Sequence, residues 1–180
     1  AELYEQSGLR TIFVGHPMLE DLATKRANAP RDLNLVGLFP GSRAREVRQL
    51  LPIVIEVMRE LKAKRPGLKF EIAAASPAVA DLIRRHFPPG SISSDSFGEV
   101  SIVVGRASET MQKSAAAVIA SGTATLEAAF FRLPFVLVYK VAALTYLAGR
   151  MLIRVKHLGM PNVLAGREIV PEFIQGKAEP

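Results

Sequence analysis

Short, continuously apolar runs recur along this chain, and stretches of helical spacing separate them. The runs are Thr11–Gly15 (TIFVG), Leu35–Pro40 (LVGLFP), Lys69–Ala75 (KFEIAAA), Val100–Val104 (VSIVV), Ala116–Ala120 (AAVIA) and Phe135–Tyr139 (FVLVY). Each has the length of a strand. A strand with one face in water alternates apolar and polar residues; one covered on both faces is apolar throughout, as most of these are. Between the second and third runs, Val47, Leu50 and Leu51 lead into Val54, Val57, Met58 and Leu61 at helical spacing. Pro52 has no N–H to donate, so the reading is a short helix followed by a second one with Pro52 at its first position. Ala78–His86 is another helix, closed by Pro88, Pro89 and Gly90. Strand followed by helix, repeatedly, predicts an α/β domain with a doubly wound parallel sheet. No internal repeat, low-complexity tract or second domain is visible.

The 180 residues suffice for one well-buried domain, and a composition 49% hydrophobic and 22% charged suits a folded chain. There is no cysteine, which excludes disulfides, thiolate metal sites and a catalytic thiol. The opening AELYEQSGLRTIFVG has no basic region followed by an apolar one, so no signal peptide is expected. The net charge of +6 is local: Arg132, Lys140, Arg150, Arg154, Lys156 and Arg167 fall in an acid-free stretch from Ala128 to Arg167. Outside it, the other 17 of 23 basic residues balance 17 acids. A local excess points to a local anionic partner.

Two turns are built to meet an anion. In LFPGSRAREV a strand ends at Pro40, Gly41 and Ser42 turn, and a helix follows from about Ala44. Unpaired N–H groups at such a helix start, with the helix dipole behind them, favour a negative charge. Arg43 adds a guanidinium able to bridge two oxygens. The plain alternative is an ordinary turn capped by Ser42, with Arg43 solvated. In ASGTATLEAAF the turn Ser121, Gly122 and Thr123 again joins a strand to a helix, with Thr123 a possible cap. Glu127 lies one turn into that helix. A carboxylate there can accept from the vicinal hydroxyls of a ribose, or it can simply favour the positive helix end. Two such turns on one sheet edge favour a nucleotide sugar. Neither is a Gly-rich dinucleotide fingerprint or a Walker loop, which argues against NAD and ATP.

GMPNVLAGREIVPEF is too punctuated by glycine and proline for one helix. It could lie over a pyrophosphate with Arg167 on the oxygens, or be a surface connection. His16 follows the first strand and suits a positional role near the crevice. The three histidines lack metal-ligand spacing, and there is no Gly-x-Ser-x-Gly elbow. In YKVAALTYLAGRMLIRVKHLGM, Leu144, Leu147, Met151 and Val155 share a helix face, with Arg150, Arg154 and Lys156 around it. Charge interrupts it too often for a bilayer span. It reads as a core helix with solvated cations or as a helix lying on an anionic lipid surface.

In this order, FVGHP, LFPGSRAREV, ASGTATLEAAFFRLPFVLVYK and PNVLAGREIVPEF resemble the carboxyl-terminal half of the lipid-A-disaccharide synthase family. The resemblance covers almost the whole chain. The ASGTATLE segment is shared more loosely with related two-domain transferases, including the peptidoglycan-precursor type. The resemblance implies one Rossmann-like domain of a two-domain, GT-B type glycosyltransferase. Its reaction joins UDP-2,3-diacylglucosamine to 2,3-diacylglucosamine 1-phosphate, with inversion, releasing UDP and needing neither metal nor cofactor. It implies a Gram-negative source and a peripheral place on the cytoplasmic face of the inner membrane, with Arg150, Met151 and Arg154 as possible membrane contacts.

Carried over residue by residue, it places Gly41, Ser42, Arg43, Ser121, Gly122, Thr123, Glu127, Asn162 and Arg167 around the donor's UDP. Arg43 and Arg167 would stabilise the leaving group, and the general base would belong to the other domain. Residues 1–10 then read as a domain end or linker, 11–175 as the nucleotide-sugar-binding domain and 176–180 as the start of a further segment. On that division the chain alone binds donor without turnover. Two rival expectations are another UDP-sugar transferase of this architecture and a nonenzymatic domain that binds polyanions, nucleic acid among them.

Overall fold

In the computed structural model, residues 6–8, 10–12, 17–27, 30–87, 100–140 and 157–174 are described. A six-stranded, wholly parallel sheet forms the centre, in the order β3-β2-β1-β4-β5-β6. The strands are β1 Asp32–Phe39, β2 Lys69–Ala74, β3 Val100–Val104, β4 Ser114–Ala120, β5 Phe135–Tyr139 and β6 Glu172–Ile174. The helices are α1 Pro17–Thr24, α2 Ala44–Lys64, α3 Pro77–Arg84, α4 Ala107–Lys113, α5 Ala124–Phe130 and α6 Met160–Ala165. The expected doubly wound α/β sheet is present. Five expected runs form strands; for Thr11–Gly15, Thr11 and Ile12 have no regular structure and the rest lies outside the described residues.

Alternate residues of the central strands enter two different cores, which explains their unbroken apolar sequence. Leu38, Ile72, Val118 and Val138 join α2 and α3 on one face. Their neighbours Phe39, Ala73, Ile119 and Leu137 join Leu22 of α1, Met111 of α4 and Ala128 of α5 on the other. Helices pack against both faces of the sheet, which is how its central strands come to be buried.

Pro52 does not divide its helix. Helix α2 runs 21 residues with Pro52 inside it. An interior proline costs about 3 kcal/mol. Pro52 is exposed, while Leu50, Leu51, Val54 and Ile55 around it are buried. Burying each such side chain contributes about 1.5–3 kcal/mol, so the apolar face carries the helix through the defect.

Two polar anchors hold α4 and β4 in place. Arg31, just before β1, donates to the carbonyls of Met111 at 2.7 Å, Ser114 at 2.6 Å and Phe131 at 2.6 Å. Burial lowers its pKa from the ordinary arginine value. Glu71 of β2, 6% exposed, accepts from Lys113 at 2.7 Å, from Ser101 at 3.3 Å and from Thr110. A buried carboxylate is tolerated when its lone pairs are used this fully.

Candidate functional site

Strands β1 and β4 are neighbours, yet β1 leads through α2 to β2 on one side while β4 leads through α5 to β5 on the other. Their helices lie on opposite faces, so the turns part at the carboxyl ends of the strands and leave a crevice. Open α/β sheets bind ligands at such a reversal. A cavity of about 250 Å³ sits there. Gly41 and Ser42 line it from the β1 side, and Ser121, Gly122 and Thr123 from the β4 side. The rest of its wall is mostly small: Ala73, Ala74, Ala75, Ala107, Ala120 and Ala124.

Backbone geometry explains the glycine at the first turn. Gly41 has φ +109, and a Cβ there would lie 2.8 Å from Oε2 of Glu46. The positive φ disfavours a side chain, and one would also require the Glu46 side chain to move. Helix α2 begins without a side-chain cap: its N-cap residue is Arg43, not Ser42. Thr123 occupies the N-cap position of α5, but its hydroxyl makes no capping bond, and Thr125 donates instead to the Gly122 carbonyl at 2.7 Å. By contrast Ser76 does cap α3, accepting from the N–H of Val79 at 3.3 Å. The first N–H groups of the 21-residue α2 are thus left without a side-chain cap at the crevice, where the helix dipole favours an anion.

Arg43, Glu127 and Arg167 stand around this cavity rather than in its wall. Arg43 is 83% exposed in its side chain and pairs with Glu46 at 3.1 Å. Glu127 is half-buried one turn beyond Ala124 and accepts a hydrogen bond from the hydroxyl of Ser108. Arg167 is exposed and outside the cavity lining.

Asn162 is fully buried and spends its amide inside its own loop. It donates to the Val170 carbonyl and to Oε1 of Glu172, each at 2.7 Å, and accepts from the N–H groups of Ile169 at 2.8 Å and Val170 at 2.9 Å. Those four bonds use both donors and both acceptor positions. Its side chain therefore shapes the segment that carries Arg167. His16, Arg150, Met151 and Arg154 lie outside the described residues.

Two polar residues of this region had not been singled out. Glu46 lines the cavity and stands three residues after the N-cap, the spacing of the acidic half of a capping box. Ser108 carries no such signal, because its partner is 19 residues away on another helix. Among the described residues no cluster of histidine and carboxylate could hold a metal ion, and no helix is long and apolar enough to cross a membrane.

The profile of a family described as Lipid-A-disaccharide synthetase matches residues 1–180. The chain belongs to the lipid-A-disaccharide synthase family. The family's enzyme from Myxococcus xanthus (strain DK1622) is 37% identical over 187 residues, covering 99% of this chain and 47% of that protein. The enzyme from Pseudomonas paraeruginosa (strain DSM 24068 / PA7) is 36% identical over 188 residues, covering 100% and 48%. The chain thus spans about half the length of the curated relatives it matches. A solved structure of an S. aureus TarM mutant, in complex with Fondaparinux, alpha-GlcNAc-glycerol and UDP, overlaps with a TM-score of 0.43 at 16% identity. It covers 67% of this chain and 24% of that one. So modest an overlap adds nothing to the sequence match.

Proposed function

We propose that this chain forms the donor-nucleotide domain of a GT-B type, inverting lipid-A-disaccharide synthase. In this reading the turns at Gly41–Ser42 and Ser121–Thr123 receive the diphosphate of UDP-2,3-diacylglucosamine, and Glu127 accepts from the ribose hydroxyls. The 6-hydroxyl of 2,3-diacylglucosamine 1-phosphate attacks the anomeric carbon as the bond to UDP breaks, and its proton passes to a general base. That base belongs to the part of the longer relatives that this chain does not span, so the chain alone binds donor without turnover. Negative charge grows on the leaving diphosphate, and Arg43, Arg167 and the uncapped start of α2 are the groups to stabilise it without a cation.

The observation that carries this reading is the cavity at the strand-order reversal. Two turns singled out as anion-binding, far apart in sequence, line it together in a chain of this family. Calorimetric titration with UDP, with ATP as control, tests it. Selective binding of UDP, weakened about tenfold by Arg43→Ala and by Glu127→Ala, is the expected result. Equal affinity for both nucleotides, or indifference to both substitutions, rejects the site.

The same reading places the protein peripherally on the cytoplasmic face of the inner membrane. Supporting it are the acid-free basic stretch and the exposed Met160, Val163 and Leu164, which share helical spacing on α6. Sedimentation with anionic vesicles, reduced in Arg150→Gln/Arg154→Gln, is the corresponding test. Unchanged sedimentation removes the surface from the proposal.

A further inference from the structure

Glu127 has a hydrogen-bond partner that is itself fixed from behind. Ser108, the second residue of α4, donates its hydroxyl to Oε1 of Glu127. The carbonyl of Ser108 accepts from Nε2 of Gln112 at 3.2 Å. Gln112 is tied in turn to the chain after α1, donating to the Lys25 carbonyl at 2.9 Å and accepting from the N–H of Ala27 at 2.5 Å. Helix α4 is also held to β2, where Thr110 and Lys113 both reach the buried Glu71. The nearby cation at the end of α1, Lys25, is paired with Asp21 at 2.5 Å.

The pair stands beside the crevice, outside its lining. Ser108 follows Ala107, and Glu127 lies one turn beyond Ala124; both alanines line the cavity. A free glutamate side chain loses about 1–2 kcal/mol of rotamer freedom when a ligand orders it. A hydroxyl held on a neighbouring helix removes part of that cost beforehand. An ionised carboxylate has about four acceptor positions on its two oxygens, and Ser108 occupies one of them on Oε1. Oε2 stays open to a diol, and a serine, being neutral, leaves the carboxylate its charge.

We propose that Ser108 is a positioning residue that sets Glu127 to select a nucleoside diphosphate carrying both ribose hydroxyls. The inference rests on the reading of Glu127 as the ribose acceptor and extends it to the neighbouring helix. Its signature is discrimination between nucleotides, which a general loss of packing would not change.

The experiment is titration of the full-length protein with UDP and with 2′,3′-dideoxy-UDP. Ser108→Ala should weaken UDP by roughly fivefold to tenfold, the loss of one orienting hydrogen bond to a charged group, and leave the dideoxy analogue unchanged. Ser108→Thr, which keeps the hydroxyl, should restore UDP binding; Ser108→Cys, a weak donor, should fall between. In a Glu127→Ala background, which removes the acceptor, Ser108→Ala should add nothing further. Equal weakening of both nucleotides by Ser108→Ala and Ser108→Cys would make Ser108 merely structural and overturn the proposal; so would no effect on either. A wild-type protein that binds the two nucleotides equally removes the ribose role of Glu127, and the inference falls with it.

Discussion

Asn162 and Glu172 are joined by a 2.7 Å hydrogen bond from Nδ2 to Oε1, closing a segment that brackets helix α6. Glu172 also accepts from the N–H groups of Leu158 at 3.0 Å and Gly159 at 2.9 Å. Burial alone would raise its pKa, but these donors and the charge of His157 outweigh burial and bring it below the ordinary 4.5. A carboxyl whose pKa is depressed on folding stabilises the fold above its unfolded pKa. That contribution fades as pH falls through the folded value. Wild type should therefore exceed Glu172→Gln in stability near neutral pH, and the margin should shrink once the pH drops below about 4.5. Denaturant midpoints for both proteins across that range are the measurement; a margin that holds steady into acid contradicts the assignment. Asn162→Ala should cost about 2–3 kcal/mol at neutral pH, since it removes four hydrogen bonds made by a fully buried amide.

Arg31 binds carbonyls from three places in the chain: the end of α4, the start of β4 and the residue after α5. Arg31→Ala should destabilise by about 2–4 kcal/mol, because three partly buried acceptors lose a charged donor at once. Arg31→Lys should recover only part of this, since an ammonium cannot reproduce the planar fork. Thermal unfolding of the three proteins orders them; a lysine variant with the wild-type midpoint would deny the geometric role.

Gly41 and Gly122 both have positive φ, but only Gly41 also has a neighbour in the way, Glu46. Gly122→Ala should carry backbone strain alone, about 1 kcal/mol, while Gly41→Ala should cost about 2–3 kcal/mol. Adding Glu46→Ala should relieve part of the loss at Gly41 and nothing at Gly122. A double-mutant cycle read by chemical denaturation decides it, and equal behaviour of the two glycines would refute the steric account.

Much of this fold could be read in advance, because its strands are buried on both faces and their apolar runs are unbroken. Strand β6 could not be. Glu172–Ile174 is three residues at the sheet edge and begins with a charge, so its strand character comes from pairing with β5. The proline at 52 misled for the opposite reason: a local penalty was overridden by burial spread along 21 residues. In the crevice, the two turns were visible because strand, glycine and helix start follow one another in the chain. The Ser108–Glu127 pair was not, since no local spacing connects residues on different helices. Asn162 stood out as a polar residue among apolar ones, but that pattern does not distinguish a ligand contact from a side chain that folds its own loop.

The wall of alanines around the crevice has a bearing on redesign. Ala73, Ala74, Ala75, Ala107, Ala120 and Ala124 come from three successive strand-to-helix passages, β2 to α3, β3 to α4 and β4 to α5. The room for a guest is therefore written in side chains that stop at one carbon. At Ala75, Ala107 and Ala124, which are not fully buried, a larger side chain would trim the space from its own direction, and no residue that reads as functional would have changed, whereas Ala73, Ala74 and Ala120 are already packed into the two cores. Selectivity in this architecture can be tuned from residues with no chemistry of their own.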